Sequence, residues 1–123
     1  MINIFNNDYI MRQIEEMTRA IARVVFNKET DNGEIFDEYG IISEENFMFY
    51  MLNNMLSEKR INEAENIIFE LIEENKSKEN LKIALWFYNK LQKLSDEELY
   101  ENNFSREEIA EGLGSIKKIY NLN

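Results

Sequence analysis

The sequence predicts an all-α protein, and three observations support this fold class. The chain has 123 residues with no proline and only four glycines, so few positions can stop a helix. Apolar residues recur at helical spacing, and strand-like alternation is confined to residues 2–5. Serines stand where helix N-caps are expected. We expect one compact helical domain over residues 1–123, with about five main helices, short turns and an N-terminal arm at residues 1–7.

The predicted helices follow one another with short loops between them. Asn7 or Asp8 can cap the first helix, and the polar stretch 27–33 is typical of a loop. Gly40 closes a short helical turn before the next long helix, which Ser43 opens. The expected ranges are 8–26, 34–39 for the short turn, 43–56, 60–75 and 77–94.

Sequence signals at the helix starts are strongest in the second half of the chain. Ser77 can cap the helix that follows it, and Ser95 and Ser105 each begin the S-x-x-E capping box. The glutamates of these boxes are Glu98 and Glu108. Apolar pairs that flank the helix starts predict hydrophobic staples. These pairs are Ile42 with Phe47, Leu94 with Leu99, and Phe104 with Ile109.

Three arginines of the first helix form a ridge opposite its apolar side. Arg12, Arg19 and Arg23 fall within an arc of about 40° at 100° per residue. Glu15 and Glu16 lie four residues from Arg19 and Arg12, so one interpretation is a solvated face with ion pairs along the helix. The alternative is that these forked guanidinium groups bind carboxylates or phosphates of an acidic partner. The arginine ridge is therefore a secondary candidate surface.

The helix expected at 43–56 is apolar around almost its whole circumference, which predicts a central position in the domain. It contains Met48, Met51 and Met55. Methionines commonly fill gaps in a core, although they can also form an adaptable binding surface. The sequence alone leaves both interpretations open.

Trp86 is the main candidate for a partner contact. On the helical wheel it points away from the apolar arc of its helix, into a polar face where a large indole is unfavourable in water. The residues around it are Lys82, Asn89, Lys90 and Lys93. Lysine stems with a cation–π contact, or residues 2–5, can instead cover the indole within the chain. Otherwise this tryptophan surface binds another protein, since tryptophans are enriched at interface hot spots.

The composition argues against most enzyme classes. With no histidine and no cysteine, the commonest general base, the thiolate nucleophile and the soft metal ligands are missing. Acid pairs on helices can chelate a divalent ion weakly, but the di-iron bundle pattern needs a histidine three residues after a glutamate. We therefore expect no catalytic residues, cofactor or metal site. A carboxylate-based metal-dependent enzyme is the second alternative function.

Charge and hydropathy give expectations about location. The net charge of −10 is spread along the chain and repels phosphate backbones and anionic lipids. No apolar run reaches the roughly 20 residues of a membrane span, and the N-terminus lacks the features of a signal peptide. We therefore expect a cytoplasmic protein that makes no membrane contact.

Residues 105–123 imitate a DNA-binding helix-turn-helix. Small and apolar residues stand where the motif needs them, namely Ile109, Ala110, Leu113 and Gly114. Ser115 is polar where an apolar residue is expected, and only Lys117 and Lys118 can reach phosphates. A nucleic-acid-associated regulator that uses this truncated motif is therefore the first alternative function, although the acidic charge disfavours nucleic acid as a partner.

Two segments carry a family resemblance, YIMRQIEEMTRAIARVVFNKET and ALWFYNKLQKLSDEELYENNFSREEIAEGL. They resemble an uncharacterised family of small bacterial proteins defined only as a domain of unknown function. The resemblance covers essentially the whole chain and implies an all-helical fold of bacterial cytoplasmic origin, with no activity and no site residues. The helices at 43–94 are also loosely similar to tetratricopeptide hairpins, without that repeat's tryptophan, glycine and proline pattern.

The leading hypothesis is a non-enzymatic domain for protein–protein interaction or self-association. Its partner is an unknown protein or a second copy of the chain. The tryptophan surface is the first candidate for the contact, and the arginine ridge is the second.

Overall fold

The computed structural model describes residues 4–26 and 47–122, which form six α-helices and no strand. The fold is therefore all-α, as predicted. The helices are α1 (Ile4–Phe26), α2 (Phe47–Ser57), α3 (Ile61–Glu74), α4 (Lys78–Gln92), α5 (Asp96–Glu101) and α6 (Arg106–Ile119).

Helix α1 begins earlier than the sequence predicted. Asn7 and Asp8 lie inside it, so their expected role as caps is wrong, and residues 4–7 are helical instead of forming an arm. With no proline or glycine before Gly33, nothing in the covalent structure stops the helix at residue 7. The loop at 27–33, the turn at 34–39 with Gly40, and the Ser43 cap with its Ile42–Phe47 staple lie outside the described residues.

The predicted caps of the later helices are formed. The Ser77 hydroxyl accepts a hydrogen bond from a first-turn amide of α4. Ser95 and Glu98 form the complete capping box, with backbone-to-side-chain distances of 3.0 and 2.8 Å. At Ser105 the hydroxyl accepts from the Glu108 amide, but the Glu108 carboxylate accepts from this hydroxyl and not from the backbone N–H. The second box is thus only half formed.

Helix α4 lies at the centre of the core. Every residue from 83 to 89 is buried, and the helix packs against α1, α3 and α6. The prediction that the helix at 43–56 is central is wrong, because Phe47 and Tyr50 of α2 are 74% and 63% exposed. The apolar circumference of a helix does not reveal how many helices surround it, and in the described part of the chain α2 packs mainly against α3.

Arg106 connects the start of α6 to the end of α4 through hydrogen bonds. Its Nε donates to the Asp96 carboxylate at 2.8 Å, and its terminal nitrogens donate to the carbonyl oxygens of Gln92 and Leu94. The last carbonyls of a helix have no partner within the helix. The guanidinium supplies the missing donors, and its side chain is only 13% exposed.

Candidate functional site

Trp86, the expected centre of the partner surface, is buried, with only 4% of the residue exposed. Phe49 of α2 packs against it edge to face, with ring centroids 5.1 Å apart and planes at 87°. The Lys90 ammonium lies 5.8 Å from the indole centroid, as a cation–π contact requires. The interpretation of Trp86 as an exposed anchor is therefore wrong, and the alternative of an indole covered within the chain holds, with Phe49 of α2 and Lys90 as part of the cover.

The polar residues around Trp86 do not form one exposed patch. Asn89 is 7% exposed, and Lys82 is half-buried with its Nζ 3.4 Å from the Glu79 carboxylate. Lys90 and Lys93 are exposed. On the tryptophan surface, Lys90 and Lys93 are therefore available to a partner, whereas the aromatic side chain of Trp86 is not.

The arginine ridge of α1 faces solvent. Arg12, Arg19 and Arg23 are all exposed. Within the described ranges, Arg12 and Arg19 form no ion pair, so the expected pairs with Glu16 and Glu15 are absent there. Two guanidinium groups of the ridge thus keep their donors available for another molecule.

The arginines outside α1 are used differently. Arg60 contacts Glu63 through two nitrogens at 2.9 and 3.0 Å, and its guanidinium lowers the pKa of that carboxyl. Arg106 holds Asp96 at 2.8 Å together with two backbone carbonyls. Arg60 and Arg106 thus have carboxylate partners within the described ranges, whereas Arg12 and Arg19 of the ridge do not.

An apolar margin borders the ridge on the same helix. Tyr9 and Val24 are 62% and 37% exposed, and half-buried Ala20 lies between them on the helical wheel. The Tyr9 hydroxyl accepts a hydrogen bond from the Gln13 amide at 3.3 Å. Arginine and tyrosine are both enriched in protein interfaces.

The helix-turn-helix likeness of residues 105–123 is not formed as the motif requires. Helix α6 runs without interruption through Gly114, where the motif would place its turn. A Cβ atom at Gly112 would overlap the Tyr88 hydroxyl, so this glycine permits close packing of α6 on α4. Lys117 is half-buried and Lys118 is exposed.

Sequence reasoning missed a polar pair between α3 and α4. The hydroxyl of Tyr88, which is fully buried, donates to the half-buried Glu65 carboxylate at 2.6 Å. Burial raises the pKa of both groups. Repulsion from Glu108 and Glu111 raises the Glu65 pKa further, while the Tyr88 hydrogen bond opposes the rise. In the sequence Glu65 is one of many helical acids, and nothing in its spacing marks it.

A groove of about 660 Å³ runs between α1 and the outer face of α6. Met17 contributes from α1, and α6 contributes Glu111, Gly114, Ser115 and both terminal lysines, with Leu122 beyond the helix. A Cβ atom at Gly114 would lie 4.0 Å from the Met17 sulfur, which is an ordinary contact distance. Space beside Gly114 is therefore open to an incoming side chain.

Histidine, cysteine, aspartate and glutamate side chains in the described ranges form no group of three placed to hold a metal ion. None of the helices described is both long and apolar enough to cross a membrane.

All six helices lie within one family match. The model of the family of unknown function DUF6483 matches residues 4–121, which include both segments that carried the resemblance. No curated protein and no solved structure matches the chain. A match of this extent, together with the all-helical fold, shows that the chain belongs to the DUF6483 family of unknown function.

Proposed function

We propose that the protein is a non-enzymatic interaction domain of the bacterial cytoplasm that binds an acidic protein through the arginine ridge. One observation supports this more than any other. Arg12 and Arg19 are exposed, without an ion pair to any described residue, in a chain with net charge −10. Forked guanidinium donors recognise carboxylates with good geometry, and the partner's carboxylates would supply the acceptors.

The surroundings of the ridge favour a protein partner over nucleic acid. The ridge is about 16 Å long at 1.5 Å per residue, so it can oppose only one short acidic segment. At longer range the net negative charge repels any anionic partner, and it repels most strongly one as densely charged as a nucleic acid. Tyr9 and Val24 offer apolar contacts beside the charges, which a protein surface can match.

Catalysis has less support from the geometry. Glu65 carries a raised pKa, which is common for a general acid or base. Its neighbour Tyr88 is fully buried, however, and its hydroxyl already donates to Glu65. A substrate has no access to that hydroxyl, so the pair is better explained as a contact that joins α3 and α4.

Site-specific photo-crosslinking in the native host tests the proposal. Glu16 is exposed and lies between Arg23 and Tyr9 on the helical wheel, so a photoreactive residue there samples the ridge. We expect a discrete adduct with an acidic protein, which disappears in Arg12→Glu/Arg19→Glu. The same photoreactive residue at Glu97 of α5 serves as the control and is expected to give no such adduct.

Affinity measurements then distinguish the contribution of the positive charge at residues 12 and 19 from that of the forked guanidinium geometry. The captured protein is purified and titrated against wild type, Arg12→Lys/Arg19→Lys and Arg12→Glu/Arg19→Glu. Lysine keeps the charge but loses the fork, so we expect intermediate binding for the lysine variant and loss of at least about tenfold for the glutamate variant. Equal affinity for all three proteins, or a captured partner that is basic, would refute the proposal.

A further inference from the structure

The outer face of α6 is arranged symmetrically about one point. Gly114 and Ser115 are at its middle, Glu111 lies three residues before Gly114, and Lys118 lies three residues after Ser115. These residues share an arc of about 100° opposite the buried side of the helix. Glu111, Ser115 and Lys118 are exposed and Gly114 is half-exposed. The face therefore has an acid at one end, a base at the other and small residues between them.

The geometry points to a homodimer in which the α6 helices of two copies pack antiparallel across Gly114 and Ser115. A two-fold axis at the midpoint brings Glu111 of each copy opposite Lys118 of the other, which makes two equivalent ion pairs. Such self-complementarity is the requirement of an isologous interface. This inference does not depend on the arginine ridge, which lies on another helix.

The order of charges by itself has a simpler cause. Acids near the start of a helix and bases near its end complement the helix dipole, and α6 has Glu107 and Glu108 in its first turn and Lys117 and Lys118 in its last. The dipole does not require the acid and the base to be equidistant from a pair of small residues. It also does not explain a groove of about 660 Å³ at that position.

The groove gives the partner helix room to approach. Gly114 has no side chain, and helices with small residues at the crossing point pack closely. Half-buried Met17 and Leu122 flank the groove. In the dimer, the partner's side chains enter the groove and cover the remaining apolar surface of these two residues, which adds hydrophobic stabilisation to the ion pairs.

Reversing the charges of Glu111 and Lys118, singly and together, tests this dimer directly. Mass is measured by sedimentation equilibrium on the full chain, over a range of concentrations, for wild type, Glu111→Lys, Lys118→Glu and the double variant. We expect wild type to be dimeric and each single reversal to weaken association at least about tenfold, because like charges then face each other. The double variant is expected to regain the dimer.

Mixing the two single variants provides the sharpest comparison. In a mixed dimer, the chain with Glu111→Lys presents two bases and the chain with Lys118→Glu presents two acids, so opposite charges meet at both contacts. We therefore expect the mixture to form a heterodimer although neither variant associates alone. Glu97→Lys on α5 is the matched control and is expected to keep the wild-type mass.

Folding is monitored by circular dichroism and urea denaturation, since Glu111 also lies near Glu65. Gly114→Leu, which fills the groove, is expected to abolish the dimer while the helical signal is kept. A wild-type protein that stays monomeric at all concentrations would overturn the inference. So would single reversals that keep the dimer, or folded single variants that fail to associate when mixed.

Discussion

Tyr88 of α4 donates a hydrogen bond to Glu65 of α3 at 2.6 Å. The phenol reaches this position only because Gly112 of α6 has no Cβ atom, which would overlap the hydroxyl. Three helices therefore meet around one buried side chain. This contact gives a structural reason for a glycine in the interior of α6, a position where glycine by itself disfavours a helix.

Gly112→Ala is expected to destabilise the protein, by about 1–3 kcal/mol, because the added methyl group forces Tyr88 or α6 to move. Gly114→Ala is the matched control. Its methyl group meets only the Met17 sulfur at 4.0 Å, so the better helix propensity of alanine is expected to stabilise it by about 0.5–1 kcal/mol. Urea denaturation in a Lys118→Glu background, which removes α6 association, measures both. Equal effects at the two glycines would contradict the packing described.

Glu65 is expected to make the free energy of unfolding fall as pH rises above the ordinary carboxyl range. Its raised pKa, caused first by burial, means that the folded state holds the proton more tightly than the unfolded state. Its stabilising contribution is present below the unfolded pKa and is lost as pH rises through the folded pKa. In Glu65→Gln, the free energy of unfolding measured by urea denaturation is expected to decline less than in wild type as pH rises above the ordinary carboxyl range.

Glu63 provides a control of opposite sign for this pH dependence. Arg60 lowers the pKa of the Glu63 carboxyl, so its contribution is present at higher pH and is lost as pH falls through the folded pKa. Glu63→Gln is therefore expected to change the profile only at lower pH. If Glu65→Gln and wild type decline in parallel, Glu65 does not titrate as described.

Arg106→Ala is expected to lower the free energy of unfolding by about 1.5–3 kcal/mol, because it removes a charged donor from two backbone carbonyls at the end of α4. Asp96→Asn tests the ion pair separately. Asp96 is 67% exposed, so its loss is expected to cost less than about 1 kcal/mol. Chemical denaturation of both variants and of Arg106→Lys measures the change in the free energy of unfolding. A larger loss for Asp96→Asn than for Arg106→Ala would show that the carboxylate, and not the carbonyls, is the important partner.

Trp86 is the only tryptophan, so fluorescence reports directly on its environment. Because only 4% of the residue is exposed, its emission is expected to be blue-shifted in the folded protein and to be quenched weakly by acrylamide. Trp86→Ala is expected to cost about 3–5 kcal/mol of stability. Quenching equal to that of the urea-unfolded chain would show that the indole is not covered by α2.

Local signals predicted the fold class and most helix boundaries. Ser77 and Ser95 cap α4 and α5 through neighbours three residues away, and such short-range contacts can be read from sequence. The error at Trp86 has a different origin. Its cover comes from Phe49, 37 positions earlier in the chain, and helical periodicity describes the faces of one helix without showing which of them another helix covers. Helical periodicity alone correctly predicted that the arginine ridge is exposed.

Glu65, Tyr88 and Gly112 form a group for the same reason that Trp86 is covered. Each residue is ordinary in its own helix, and only the packing of α3, α4 and α6 brings them together. The α6 groove likewise depends on where Met17 of α1 lies relative to Gly114. The exposure of a helix face was thus predictable only where no other helix covers it, and groups made by several helices were not predictable.

In the proposed interaction, α1 and not the lysines beside Trp86 contacts the partner. The most direct measurement is the affinity of the protein captured at Glu16 for two charge-reversed variants, Arg12→Glu/Arg19→Glu and Lys90→Glu/Lys93→Glu. We expect the affinity to fall at least about tenfold for the arginine variant and less than about twofold for the lysine variant. The opposite order, with the lysine variant impaired and the arginine variant unchanged, would contradict the proposed interaction.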